Sequence, residues 1–291
     1  MDPSQDTTVA ERIHRRLDTL TRAERQLANA ILENYPVSGL GSITALAEAA
    51  SVSTPTAVRM AKKLGFGGFP HLQAALRAEL EATLSNPIAK HDRWAADAPD
   101  THILNRFADM AMDNMRQTLR QLDLEAFNAV AKLLADRKRG VYLVGGRITR
   151  SLADYLFTHM QVIRGDVTLI AANANMWPHY VLNMHKGEVL VAFDIRRYER
   201  YILKLAEMAA SKGVTLVLFT DQWGSPAAKH ATHSFNCRIE APSAWDSSVV
   251  SLFIVEAVIA AIQNATWKET KQRMKTLEEL FDQTRMFRKF I

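Results

Sequence analysis

Two groups of residues in this chain have types and spacings that could do chemistry. The first is Ser53, Thr54, Thr56, Arg59, Lys62 and Lys63, all inside residues 53–63. Hydroxyls and cations on one short segment suit hydrogen bonds to base edges and ion pairs to phosphates. Arg59, Lys62, Lys63 and Arg77 fall between Glu48 and Glu79 with no carboxylate among them, whereas the rest of the first eighty residues mixes both signs. The second group closes three short apolar runs: Gly145, Gly146 and Arg147; Asp194, Arg196 and Arg197; and Asp221. Small and charged residues at strand ends suit a small anion, since arginine grips carboxylate or phosphate bidentately. They suit solvated loops equally well, and spacing alone leaves both readings open.

The elements that must position the first group are two short helices. Ser42 is placed to cap one of them, with Ile43, Leu46, Ala47 and Ala50 on its inner face. Ser51-Val52-Ser53 is the turn. Ser53 is placed to cap a second helix from Thr54 to about Leu64, with Pro55 in its first turn, where a missing N–H costs little. Val58, Ala61 and Leu64 are expected to point inward, leaving Thr54, Thr56, Arg59, Lys62 and Lys63 outside. That is the layout of a helix-turn-helix whose second helix enters the major groove.

The second group sits where the rhythm of the chain changes. Residues 8–84 read as helical, and the polar stretch 85–102 reads as a linker. Helices are expected over 103–122 and from Asp123 to about Asp136. From Val141 the runs VYLVG, VTLIAA, VLVAFD, VTLVLFT and HSFNCRI alternate with helical segments. Strands rich in Val, Leu and Ile alternating with helices imply a parallel sheet covered on both faces, with ligands at the C-terminal strand ends. A charged amphipathic helix is expected over 266–290. The expected domains are thus 1–84, a linker 85–102, and 103–291.

Composition narrows the classes. The chain has 291 residues, 48% hydrophobic and 23% charged, as in an ordinary globular protein. A formal net charge of +5 is compatible with a polyanionic partner without being diagnostic. The single cysteine, Cys237, rules out an intrachain disulfide framework and points to a reducing compartment. No basic-then-apolar leader opens the chain, and the apolar run 249–262 contains Ser251 and Glu256 and falls short of the ~20 residues of a membrane span. The histidines lack metal-ligand spacing, G-x-G-x-x-G is missing, and Ser151 with His159 gives no nucleophilic pair. Trp177, Trp223 and Trp245 follow strands, so one of them could line a pocket, although core packing is their commoner fate.

VSTPTAVRMAKKLGFGGFPHLQ resembles the helix-turn-helix of the RpiR/MurR-type transcription regulators, which carry a similar V-S-x-x-T-x-x-R and then K-L-G-F-x-G-F/Y. The upstream LTRAERQLANAILENYP matches that family's opening helix, and the resemblance continues to about Gln263. GGRITRSLA lies where the sugar isomerase (SIS) domain has G-x-G-x-S-x-x-x-A, and FTDQWGSPAAKHAT is similar to its T-D-x-x-x-S-P-L-A-x-x-A-D element. The resemblance implies strand ends that cradle a phosphosugar, with Thr149 at the serine position and Ser247, at the last core helix, bordering the ligand. The sequence departs from that pattern: Arg147 replaces the second glycine, and the S-x-S-G-x-T-x-E phosphate loop is absent. Asp194 and Arg196 fall on its serines and Arg197 on its glycine. Either the arginines hold an anion by other means, or Arg196 and Arg197 pair with Asp194, Glu199 or Asp221 and the phosphate site is closed.

The expectation is a cytoplasmic, non-enzymatic regulator: an all-α helix-turn-helix domain joined to an α/β domain with a doubly wound parallel sheet. Its expected partners are a double-stranded DNA operator, a small anionic metabolite such as a sugar phosphate, and further copies of itself as a homodimer or homotetramer. No cofactor, metal or membrane is expected. The apolar faces after Ile103 and Thr266 are the expected self-association surfaces. Two alternatives remain: a phosphosugar isomerase with an added helical domain, and a regulator whose second domain only dimerises.

Overall fold

The computed structural model describes residues 7–96 and 101–287. The chain divides in sequence, after residue 98, into two compact units. The second runs on from there, apart from Gln222–Lys229. The expected linker is helical in part, Pro87–Ala96, and residues 97–100 lie outside the described residues.

The first unit is built from helices α1 (Val9–Arg16), α2 (Arg22–Glu33), α3 (Ile43–Ala49), α4 (Thr54–Lys63) and α5 (Phe69–Leu84). Local chemistry fixes their starts. Thr8 with Glu11, and Thr21 with Glu24, form reciprocal capping boxes on α1 and α2. Ser42 Oγ accepts the Ala45 N–H at 3.1 Å. Helix α3 stops at Ser51, which takes the left-handed φ of 54°. The Ser51 and Val52 amides then close back on the carbonyls of Glu48 and Ala47, both at 2.9 Å. Helix α4 ends the same way: Gly65, at φ 88°, is followed by Phe66, whose N–H reaches the Ala61 carbonyl at 3.0 Å. Val9, Ile13, Leu27, Ile31, Leu46, Met60, Leu64, Leu72 and Leu76 share one buried core.

The inner stripe of α4 differs from the expected one by a residue. Ala57, Met60, Ala61 and Leu64 are buried, and so is Thr56, whereas Val58 faces outward. The spacing 57, 60, 61, 64 is the i, i+3, i+4, i+7 stripe of a 3.6-residue helix, while 58, 61, 64 at a strict period of three drifts off the core face.

The second unit opens with α7 (Ile103–Leu119) and α8 (Leu124–Ala135), α6 being Pro87–Ala96. Then come β1 (Val141–Gly145), α9 (Arg150–Ile163), β2 (Val167–Leu169), α10 (Trp177–Asn183), β3 (Val189–Phe193), α11 (Arg200–Ser211), β4 (Thr215–Asp221), β5 (His233–Cys237), α12 (Val249–Ala265) and α13 (Trp267–Thr284). All strand pairs are parallel, in the order β2-β1-β3-β4-β5. The strand order reverses beside β1, so the loops after β1 and β3 part there and leave a crevice. Val189, Val191 and Phe193 join a core with α8, α9 and α12. Leu190 and Ala192, equally buried, alternate to the other face. Phe193, Phe219 and Phe235 are register partners on β3, β4 and β5, with ring centroids 4.7 and 4.9 Å apart. This aromatic row packs across the three strands below the site loops. Among the described residues no single helix is long and apolar enough to cross a membrane.

Candidate functional site

On α4, Arg59 and Lys62 are exposed, and among the described residues neither has an ion-pair partner. The Arg59 guanidinium donates to Thr56 Oγ at 3.1 Å, and the Thr56 and Ser53 hydroxyls lie 3.0 Å apart. Thr56 therefore belongs to the inner face and orients Arg59, in place of the expected outward role. Ser53 is the N-cap by position, but its hydroxyl serves this relay and takes no cap hydrogen bond from the backbone. Thr54 is half-buried at the helix start.

Lys63 is the second correction on this helix. Its Nζ lies 2.7 Å from Glu24, whose side chain is 3% exposed. Burial raises the Glu24 pKa, but hydrogen bonds from Lys63 and Thr21 outweigh it and hold the carboxyl below its ordinary value. Lys63 thus ties α4 to α2. Arg16 and Arg12 of α1 donate to the carbonyls of Lys63 and Leu64, and the Arg12 guanidinium sits 4.4 Å over the Phe66 ring. Cations at the carbonyl end of α4 complement its dipole and fix its angle.

In the second unit, a cavity of about 470 Å³ opens at the crevice beside β1. Of the expected residues, Gly145, Gly146 and Arg147 line it. At Gly145 a Cβ would meet the Thr149 carbonyl at 2.5 Å, so only glycine allows this turn. The remaining lining comes from Arg150, from residues 172–175 after β2, from Trp177, and from Glu199 and Tyr201 after β3. The end of β2 is not among the three strand ends expected to hold the site; its signal is a fourth strand end carrying Asn173 and Asn175.

The other expected pocket residues are committed elsewhere. The Thr149 hydroxyl accepts the Gly146 N–H and donates to the Phe193 carbonyl, both at 2.9 Å. Asp194 is buried and accepts the Glu199 N–H at 3.1 Å. Asp221 is fully buried; its carboxylate accepts the Arg196 N–H at 2.7 Å and the Tyr198 hydroxyl at 2.8 Å. Burial, then the Asp221 charge, drives the Tyr198 pKa well above its ordinary value, so the phenol stays protonated and donates. The Arg196 guanidinium, 6% exposed, pairs with Glu240 at 3.0 Å and Asp246 at 3.1 Å. Those partners replace the Asp194 and Glu199 pairings that the sequence suggested. Arg197 is exposed and lies outside the cavity lining. Ser247 is buried and its hydroxyl accepts the Val249 N–H at 3.3 Å, a capping role. Burial pushes the Cys237 thiol up to about 12, which leaves it inert at neutral pH.

With this geometry in place, residues 7–83 match the helix-turn-helix domain, rpiR family, and residues 133–261 match the SIS domain. The chain is 24% identical over 285 residues to the HTH-type transcriptional regulator HexR of Pseudomonas aeruginosa, covering 94% of this chain and 96% of that one. It is 27% identical over 232 residues to the bifunctional protein glk of Paraburkholderia xenovorans; the match takes in 78% of this chain and spans about a third (34%) of that relative's length. The Vibrio vulnificus NanR protein complexed with ManNAc-6P shares the fold, with a TM-score of 0.56 at 17% identity over 95% of this chain and 99% of NanR.

Proposed function

For a chain made of an rpiR-family helix-turn-helix domain followed by a SIS domain, the plan of a transcriptional regulator, we propose that α4 reads an operator and that the cavity beside β1 senses a small anionic metabolite, a sugar phosphate or related acid. The observation that carries the reading is the outer face of α4. Arg59 is oriented by Thr56, and Lys62 stands exposed beside it. Arg59 is the base-reading residue and Lys62 a phosphate contact. The complex of NanR with ManNAc-6P supports a sugar derivative as the ligand class. Residues 145–147 and the loop after β3 are the places where a ligand would bear on the sheet.

The regulator works in the cytoplasm as a homodimer or homotetramer on an inverted repeat, because one recognition helix makes too few contacts alone. Ile103, Leu104 and Met112 on α7 and Leu280 on α13 are exposed apolar side chains available for self-association. A ligand that favours one arrangement of the assembly changes operator affinity by its differential binding energy, about 1–3 kcal/mol. The protein is not an enzyme in this reading.

The test is selection of DNA fragments by the full chain, followed by affinity measurement with and without a panel of metabolites. Light scattering that shows a monomer at micromolar concentration, with a footprint over one half-site, would sink the dimeric reading. Selection that enriches no sequence would sink the operator reading.

A further inference from the structure

We infer that the cavity takes a monosaccharide-sized polyol bearing one carboxylate, of the aldonic or uronic acid class, and discriminates against the phosphate ester of the same compound. This deepens the sensor reading of the cavity and rests on it.

The first ground is what the loop after β3 has done with its donors. A phosphate held at strand ends is gripped by backbone N–H groups and hydroxyls. Here the protein's own side chains take four of these amides and one hydroxyl. The Glu199 N–H goes to Asp194, the Arg196 N–H and the Tyr198 hydroxyl go to Asp221, and the Arg147 N–H goes to Glu199 at 2.7 Å. The Gly146 N–H goes to Thr149. Asp194 and Asp221 are 3% and 0% exposed, so these carboxylates are built into the loop and are not waiting for a cation. Arg196 and Arg197 take left-handed φ values of 26° and 57°, which cost L-residues energy unless the surroundings hold them. Asp221 holds the Arg196 amide, while Glu240 and Asp246 hold its guanidinium. Freeing the amides for a phosphate would break all of these contacts together.

The second ground is the charge of the remaining lining. A ligand meets Arg147, Arg150 and Glu199, beside Asn173, Asn175 and Trp177. Two guanidinium groups and one carboxylate leave a single surplus positive charge (2 − 1). Arg150 is further shared with Asp154 at 3.4 Å and the Ile170 carbonyl at 2.9 Å. With Arg150 so engaged, Arg147, exposed and without an ion-pair partner among the described residues, is the cation left to meet a ligand, and one carboxylate is matched to it. The phosphate ester of the same acid keeps that carboxylate and adds close to two further charges at pH 7, which face Glu199 with no further unpaired cation in the lining to meet them. Carboxylate and amide side chains match vicinal hydroxyls, and the volume of about 470 Å³ is in the range of single small-molecule sites.

The test is calorimetry of the full chain against D-gluconate and its 6-phosphate as a matched pair, with glucose and glucuronate alongside. Like-charge repulsion across a partly solvated cavity predicts roughly tenfold tighter binding of the acid than of its phosphate ester. Glu199→Gln should narrow that gap, and Arg147→Ala, at an exposed side chain, should weaken acid binding about tenfold without moving the melting temperature. If the 6-phosphate binds as tightly as gluconate or tighter, this inference falls while the sensor reading stands. Glucose binding as tightly as gluconate would equally overturn it. If no member of the panel binds while the chain still retards its selected DNA, the inference and the sensor reading fall together, and the DNA reading survives.

Discussion

Arg59, midway along α4, and Arg196, in the loop before α11, are the same residue type, and their surroundings treat them in opposite ways. Arg59 stands in water, held by one hydrogen bond to Thr56. Arg196 is almost wholly desolvated and has two carboxylates within 3.1 Å. A guanidinium taken out of water needs its counter-charges inside the protein, while an exposed one can keep its donors for a polyanion that arrives later. The same contrast runs between Lys62, exposed, and Lys63, tied to Glu24. A binding face and a structural joint can therefore be built from one composition, and the position of nearby carboxylates separates them.

Arg196→Ala gives the largest test of that contrast. It removes the desolvated guanidinium from Glu240 and Asp246, which stay partly solvated, so the second unit should lose about 2 kcal/mol, read as a lower melting transition in calorimetry. Operator affinity without ligand should stay unchanged. A loss of DNA affinity with no loss of stability would reverse the assignment. Arg59→Ala should do the opposite, costing about 1–3 kcal/mol of operator affinity and relaxing specificity at one base position, with the melting temperature held.

Thr56→Val sharpens the comparison from the inside. It keeps the shape of a buried side chain and removes the acceptor that orients Arg59. The expected costs are about 1 kcal/mol of stability and a broader selected DNA motif. Lys62→Ala should reduce the slope of log affinity against log salt by about 1. Lys63→Ala should change that slope less, and should cost the first unit no more than about 1 kcal/mol, because its side chain is 41% exposed and screened.

The smallest effect is in acid. The folded-state pKa of Glu24 lies below its unfolded value, so its contribution is complete above the ordinary carboxylate range and fades as pH falls through the lowered pKa. Melting of the first unit between about pH 5 and 3 should show this loss, and Glu24→Gln should flatten it.

How much of the site was legible depends on the range of each interaction. The capped start of α3, the left-handed turn at Ser51, the L-G-F ending of α4 and the alternation of strands with helices are written within a few residues of where they act. The α4 face was legible except for its rotation: a stripe counted at 58, 61 and 64 misplaced Thr56 and Val58, which the shared core with α2 and α5 sets at 57, 60, 61 and 64. In the pocket, Gly145, Gly146 and Arg147 are legible from their place at the end of a strand, whereas the end of β2, with its Asn173 and Asn175, carries no charge to mark it.

The sequence by itself determined the two-domain plan, the helix-turn-helix and the parallel sheet, because periodicity and capping are local and repeat along the chain. Only the tertiary structure decided which charges are free. Arg196 meets Glu240 and Asp246, 44 and 50 positions away, across the loop after β5. Asp221 closes on a loop 25 positions earlier, and Lys63 on a helix 39 positions earlier. A charge in a sequence has many possible partners. Burial selects among them, because the desolvation cost is met only where the folded backbone brings an opposite charge within hydrogen-bonding distance.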